Sequence, residues 1–127
     1  MIVCKFGGTS LADATRIRRA AAIVLREKAR RFVVVSAPGK RFEADEKITD
    51  LLLRAANGDA AALETALGRF AGTAAQLRVD IERDLRKAAA EIPARGAEYA
   101  ASRGEYLCAL LLARYLHWEF VDAAEVI

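Results

Sequence analysis

An α/β fold with a mainly parallel sheet is what this sequence predicts, and three observations predict it. A short apolar run, Ile2 to Cys4, ends near the glycine pair Gly7-Gly8, and Ile17, Ala20, Ala21, Val24 and Leu25 then recur at helical spacing with arginines on the opposite face. The β-branched run Phe32-Val33-Val34-Val35, closed by Ser36-Ala37-Pro38-Gly39, has no polar alternation and so reads as a strand covered on both faces. Strand, helix and strand within the first 36 residues make a βαβ unit, for which a right-handed crossover is expected.

The remaining elements follow from spacing and punctuation. Residues 37–46 are a charged loop carrying Pro38 and Gly39, and Ile48, Leu51, Leu52 and Ala55 then share one helical face up to the stop signal Asn57-Gly58. Leu63, Leu67, Phe70 and Leu77, then Ile81, Leu85, Ala89 and Ile92, continue as packing helices, with Gly72 as a break and Pro93 as the end of the run. Glu105 to Tyr115 is expected to be a strongly apolar helix, and Trp118 to Val121 a third strand. No internal repeat, low-complexity segment or linker divides the chain.

Composition bounds the function. The sequence has 127 residues, 54% of them apolar, which suits one compact domain or a piece of a larger one. A net charge of +3 is too small for a nucleic-acid signature, although it favours acidic ligands. Arg16, Arg18, Arg19, Arg26, Lys28, Arg30 and Arg31 lie on the polar face of the first helix and its exit, and no aromatic side chains interleave with them for base stacking. Cys4 and Cys108 match no zinc or redox spacing and are expected to be buried free thiols in a reducing cytosol. His117 has no second metal ligand near it in sequence. No leader ahead of the first strand is expected, and no apolar stretch is long enough to span a bilayer.

Two motifs carry chemistry. In KFGGTS, Lys5 to Ser10, a glycine pair between strand and helix lets backbone approach an anion, the helix start offers N–H groups, and Lys5 adds a full positive charge. The same residues also describe a plain tight turn with Ser10 as a helix cap. The order excludes the Walker A loop, whose lysine follows its glycines. Lys5 instead projects from the carboxyl end of a parallel strand, where open α/β sheets gather ligands, and Ser36 ends the neighbouring strand. In SRGE, Ser102 to Glu105, the Ser-x-x-Glu pattern is either a capping box for the following helix or places Glu105 where it accepts hydrogen bonds from a substrate ammonium.

KFGGTS, the stretch VVVSAPGKRFEADEKITDLL from Val33, and SRGEYL followed by EFVDAAEVI together resemble the N-terminal part of an aspartokinase, in order and spacing and over essentially the whole chain. The resemblance implies a three-layer αβα amino-acid kinase fold and transfer of the ATP γ-phosphoryl group, with Mg2+, to the β-carboxylate of aspartate. It implies that Lys5 stabilises the transferring phosphoryl group, that Gly7, Gly8, Thr9 and Ser10 line the phosphate site, and that Thr49 and Glu105, with Ser36 close by, hold aspartate. A carboxylate nucleophile is already ionised at pH 7, so no general base is needed.

Two departures stand out. Cys108 occupies a position where the family commonly has serine, which removes a hydroxyl. The loop between Ser36 and Thr49 is longer than in compact members, and Lys40 and Arg41 are expected to decorate a mobile loop. The family's nucleotide-binding loops and regulatory parts fall after these residues, so 1–127 is expected to be the substrate-side part of a kinase domain, inactive alone and steadied by a second copy in a cytoplasmic homo-oligomer. A non-catalytic module that binds an acidic metabolite or pairs with a partner subunit, and a kinase for another carboxylate such as acetylglutamate, are the alternatives.

Overall fold

The computed structural model describes residues 1–122 of the chain. Strand β1 (Ile2–Phe6) runs into a 3-10 turn (Gly8–Leu11) and helix α1 (Ala14–Leu25), and β2 (Arg30–Val35) returns parallel to β1. Helices α2 (Ile48–Ala56), α3 (Ala60–Leu77), α4 (Glu82–Arg95) and α5 (Ala97–Leu116) complete the described chain. The expected α/β class with a parallel sheet is therefore what the protein has.

Register decides what each strand offers. Cys4 pairs with Val33 and Phe6 with Val35, while Val3 pairs with Phe32 and Lys5 with Val34. Neighbours across a ladder share a face, so Phe6, Val33 and Val35 point together into the helical core. The alternate set points away from it: Val3 is 57% exposed, Phe32 54% and Val34 50%. The expectation that β2 is covered on both faces thus holds for one face only among the described residues, because the helices packed onto this sheet join the same core. Of the layers that the resemblance implies, the described residues supply the sheet and one helical layer.

The starts of α1 and α3 are capped by aspartates. Asp13 Oδ1 accepts from the Arg16 N–H at 2.9 Å and Asp59 Oδ1 from the Ala62 N–H at 3.0 Å, each satisfying a donor that the first turn leaves free. The cap of α1 is Asp13 rather than Ser10. Along α3, Ala62, Ala66, Phe70, Ala74 and Leu77 form one buried stripe that lets α2 approach closely.

Several boundaries differ from expectation. Gly72 does not break α3, which ends at Arg78 in a left-handed conformation. Pro93 lies within α4, which runs on to Arg95; in the last turn the lost N–H removes a single hydrogen bond. Ser102 and Glu105 sit in the middle of α5, so the capping-box reading of SRGE is wrong: the helix begins a turn and a half earlier, at Gly96-Ala97. Ser102 Oγ instead donates to the Tyr99 carbonyl at 2.6 Å.

The expected third strand also does not form among the described residues. The Trp118 N–H turns back to the Ala113 carbonyl at 2.9 Å to close α5, and Phe120 packs edge-on against Tyr106 with ring centroids 5.0 Å apart. A cleft of 280 Å³ lies between β2 and this segment, lined by Val33, Val35, Leu112 and Phe120 among others. The apolar alternation of 118–121 is satisfied by side-chain docking and not by a ladder.

Candidate functional site

The carboxyl ends of β1 and β2 are tied to each other beyond the sheet. The Ser36 N–H donates to the Phe6 carbonyl at 3.1 Å, and the Gly39 N–H donates to the Gly8 carbonyl at 2.9 Å. The second bond crosses from the KFGGTS turn to the SAPG loop, and it requires glycine on both sides. A Cβ on Gly8 would lie 2.7 Å from the Ala37 carbonyl oxygen, and one on Gly39 would lie 2.9 Å from the Gly8 carbonyl carbon. Neither obstacle is a flexible side chain, so both positions exclude any larger residue.

The start of α2 and the middle of α5 meet at the same place. The Ile48 N–H donates to the Pro38 carbonyl at 3.3 Å, which anchors the first turn of α2 on the SAPG loop. Gly104 then lets α5 press in: a Cβ there would fall 2.8 Å from Ala37 Cβ, 3.2 Å from Leu52 Cδ1 and 3.4 Å from Ile48 Cγ2. Thr49 and Glu105 each follow by one residue the pair, Ile48 and Gly104, that meets here. Glu105 is exposed and Thr49 half-buried, both open to a small molecule.

Each residue singled out in the sequence has a definite place. Gly7, Gly8, Thr9 and Ser10 form the turn after β1, and Ser36 the first residue after β2. Thr49 lies in the first turn of α2 and Glu105 in the middle of α5. Lys5 is exposed at the fourth position of β1 and belongs by register to the open face, beside Val34. Cys108, four residues after Gly104, is fully buried, and burial pushes its thiol up to about 12. It packs the core and offers nothing to a ligand. Cys4 is half-buried, and both thiols are free.

The loop between SAPG and α2 is braced and not merely decorated. Arg41 grips Asp45 through Nε at 2.7 Å and Nη2 at 2.9 Å, and Arg16 donates to the carbonyls of Lys40 at 3.1 Å and Arg41 at 3.2 Å. Arg69, from α3, donates to the carbonyls of Ala12, Gly39 and Glu46. Arg69 escaped the sequence reading, and Gly104 was read only as a member of SRGE, without its packing role. The available signals were an arginine in a helix otherwise rich in alanine and leucine, and a glycine on the apolar side of a long helix. Among the described residues no cluster of histidine, cysteine, aspartate and glutamate is suited to a metal ion, and no helix is long and apolar enough to cross a membrane.

Comparison with known proteins places this arrangement in context. The chain matches the model of the amino acid kinase family over residues 1–126. Aspartokinase 3 of Bacillus subtilis (strain 168) is 50% identical over 56 residues, which are 44% of this chain and 12% of that protein. The structure of Clostridium acetobutylicum aspartate kinase superimposes with a TM-score of 0.88 at 37% identity, over 94% of this chain and 30% of the other. Aspartokinase III of E. coli, solved with lysine and aspartate and again with aspartate and ADP, gives a TM-score of 0.73 at 27% identity over 92% of this chain in both states. The chain therefore spans about 30% of the length of the C. acetobutylicum enzyme.

Proposed function

This chain belongs to the amino acid kinase family, and from that premise we propose that residues 1–127 are the N-terminal, substrate-side part of an aspartate kinase, which moves the γ-phosphoryl group of ATP onto the β-carboxylate of aspartate. The observation that carries the reading is the convergence of the KFGGTS turn, the SAPG loop, the α2 start and the Gly104 contact of α5 at one end of a parallel sheet. Aspartate kinases are the relatives it matches, and one is solved with aspartate and ADP.

The chemistry asks little of this chain beyond placement and charge. The acceptor carboxylate is already ionised at neutral pH, so the absence of a poised base among these residues costs nothing. Lys5 neutralises charge on the phosphoryl oxygens in transit, and Gly7, Gly8, Thr9 and Ser10 lie against them. Glu105 takes the ammonium of aspartate, with Thr49 and Ser36 beside it. Mg2+ accompanies the nucleotide, where it shields the phosphates. The adenosine contacts, self-association and a cytoplasmic setting belong to the same reading.

Acyl phosphates are captured by hydroxylamine as coloured hydroxamates. The protein, supplied with the polypeptide that furnishes the nucleotide-binding half, is expected to yield hydroxamate from ATP, Mg2+ and aspartate and none from acetylglutamate. Lys5→Ala should lower kcat by about a hundredfold or more, as loss of a preorganised charge does, whereas Glu105→Ala should act mainly on the KM for aspartate. Equal losses of kcat with unchanged KM in both variants contradict these roles. Aspartate binding without any trapped product selects the non-catalytic alternative.

A further inference from the structure

One side chain meets all three backbone segments that build the candidate site. Arg69 is 8% exposed, well inside the molecule for an arginine. Its Nη2 donates to the Ala12 carbonyl at 3.2 Å and the Gly39 carbonyl at 2.9 Å, and its Nη1 donates to the Glu46 carbonyl at 2.8 Å. Asp45 provides the nearest countercharge, 3.8 Å away. Ala12 closes the turn that begins at Gly8. Gly39 ends the SAPG loop and gives its own N–H to Gly8, and Glu46 lies two residues ahead of α2.

A guanidinium holds its donors in one rigid plane, so carbonyls gathered by it are fixed in angle as well as distance. Burying that cation costs desolvation, which here is offset by charge-assisted bonds to backbone oxygens. Burial, followed by the neighbouring Arg41 charge, draws the Arg69 guanidinium down from its ordinary value, yet an arginine remains protonated at any physiological pH. Arg16 braces the same loop from its exposed side, so two arginines from different helices grip it.

We propose that Arg69 is a positioning residue for phosphoryl transfer, whose guanidinium locks the phosphate-binding turn, the SAPG loop and the start of α2 into one geometry. It touches no substrate. Its consequence for catalysis rests on the aspartate kinase reading, whereas the lock itself rests on the contacts above.

Amide hydrogen exchange on the chain separates a lock from general stability. In Arg69→Met, the Gly39 and Ile48 amides, bonded to Gly8 and Pro38, should exchange roughly tenfold or more faster, as expected for a lost charge-assisted network. The Ser36 amide and those inside α5 should keep their wild-type rates. Arg69→Lys retains the charge without the fork and should give the same pattern at smaller amplitude, with a severalfold weaker aspartate dissociation constant in a titration followed at the Thr49 amide. Unchanged Gly39 and Ile48 rates overturn the proposal, as does a uniform acceleration or the unfolding of both variants, since Arg69 would then be a general stabiliser. A wild-type chain that ignores aspartate refutes the functional reading, and the exchange pattern still decides the lock.

Discussion

Asp45 is held between two guanidiniums, with Arg41 donating through its side chain and its backbone N–H, the latter at 3.0 Å, and with Arg69 behind. Hydrogen bonding from Arg41 outweighs the opposing effect of burial and keeps the carboxyl far below its ordinary value of 3.8. A carboxylate depressed by folding adds stability that is complete above its unfolded pKa and fades as pH falls through the folded one. Asp45→Asn should therefore lower the thermal midpoint by a few degrees at pH 7, and the gap from wild type should narrow below about pH 4. Melting curves between pH 7 and pH 2 check this, and a gap independent of pH would count against the ion pair as its source. Neither Asp45 nor Arg69 stood out in the sequence, and Arg41 was expected only to decorate a mobile loop, because a charged loop reads as solvated until its acceptors are known.

At the scale of elements, the SRGE motif shows how far a local pattern reaches. Ser-x-x-Glu matches a helix start, yet α5 begins earlier at Gly96 and carries both residues through its middle. What distinguishes the motif in three dimensions is Gly104, whose missing side chain lets α5 sit against Ala37 and Leu52. Gly104→Ala would normally favour a helix, by up to about 1 kcal/mol. Here the added methyl meets Ala37 Cβ at 2.8 Å, so the loop or the helix must shift. A net destabilisation of about 1–3 kcal/mol is expected from such overpacking, measurable by urea denaturation, and under the proposed function aspartate binding should weaken as well, because Glu105 moves too. A stabilised variant would show that α5 does not bear on the SAPG loop. The Gly8–Gly39 crossing works by the same exclusion, between two turns rather than a helix and a turn.

Across the whole molecule the helices gather on one face of the sheet and leave Val3, Phe32 and Val34 open beside Lys5. Apolar area of this kind on a folded chain binds hydrophobic dyes, so anilinonaphthalene sulfonate fluorescence should rise with native protein and fall in Phe32→Lys, with the near-ultraviolet circular dichroism preserved. A silent wild type would mean that the face is covered in solution. By itself the sequence determined the βαβ start, the carboxyl-edge location of KFGGTS and Ser36, the buried stripe of α2 and the stop at Asn57-Gly58, since each depends on spacing within a few residues. Tertiary structure alone decided that the start of α2 and the middle of α5 meet at Ile48 and Gly104, that Arg69 grips three distant carbonyls, that 118–121 forgoes a ladder, and that Val3, Phe32 and Val34 stay exposed among the described residues. Periodicity reports which side of an element is apolar, but which element that side meets depends on packing between residues tens of positions apart, where a missing methyl at Gly104 or a planar cation at Arg69 sets the fit.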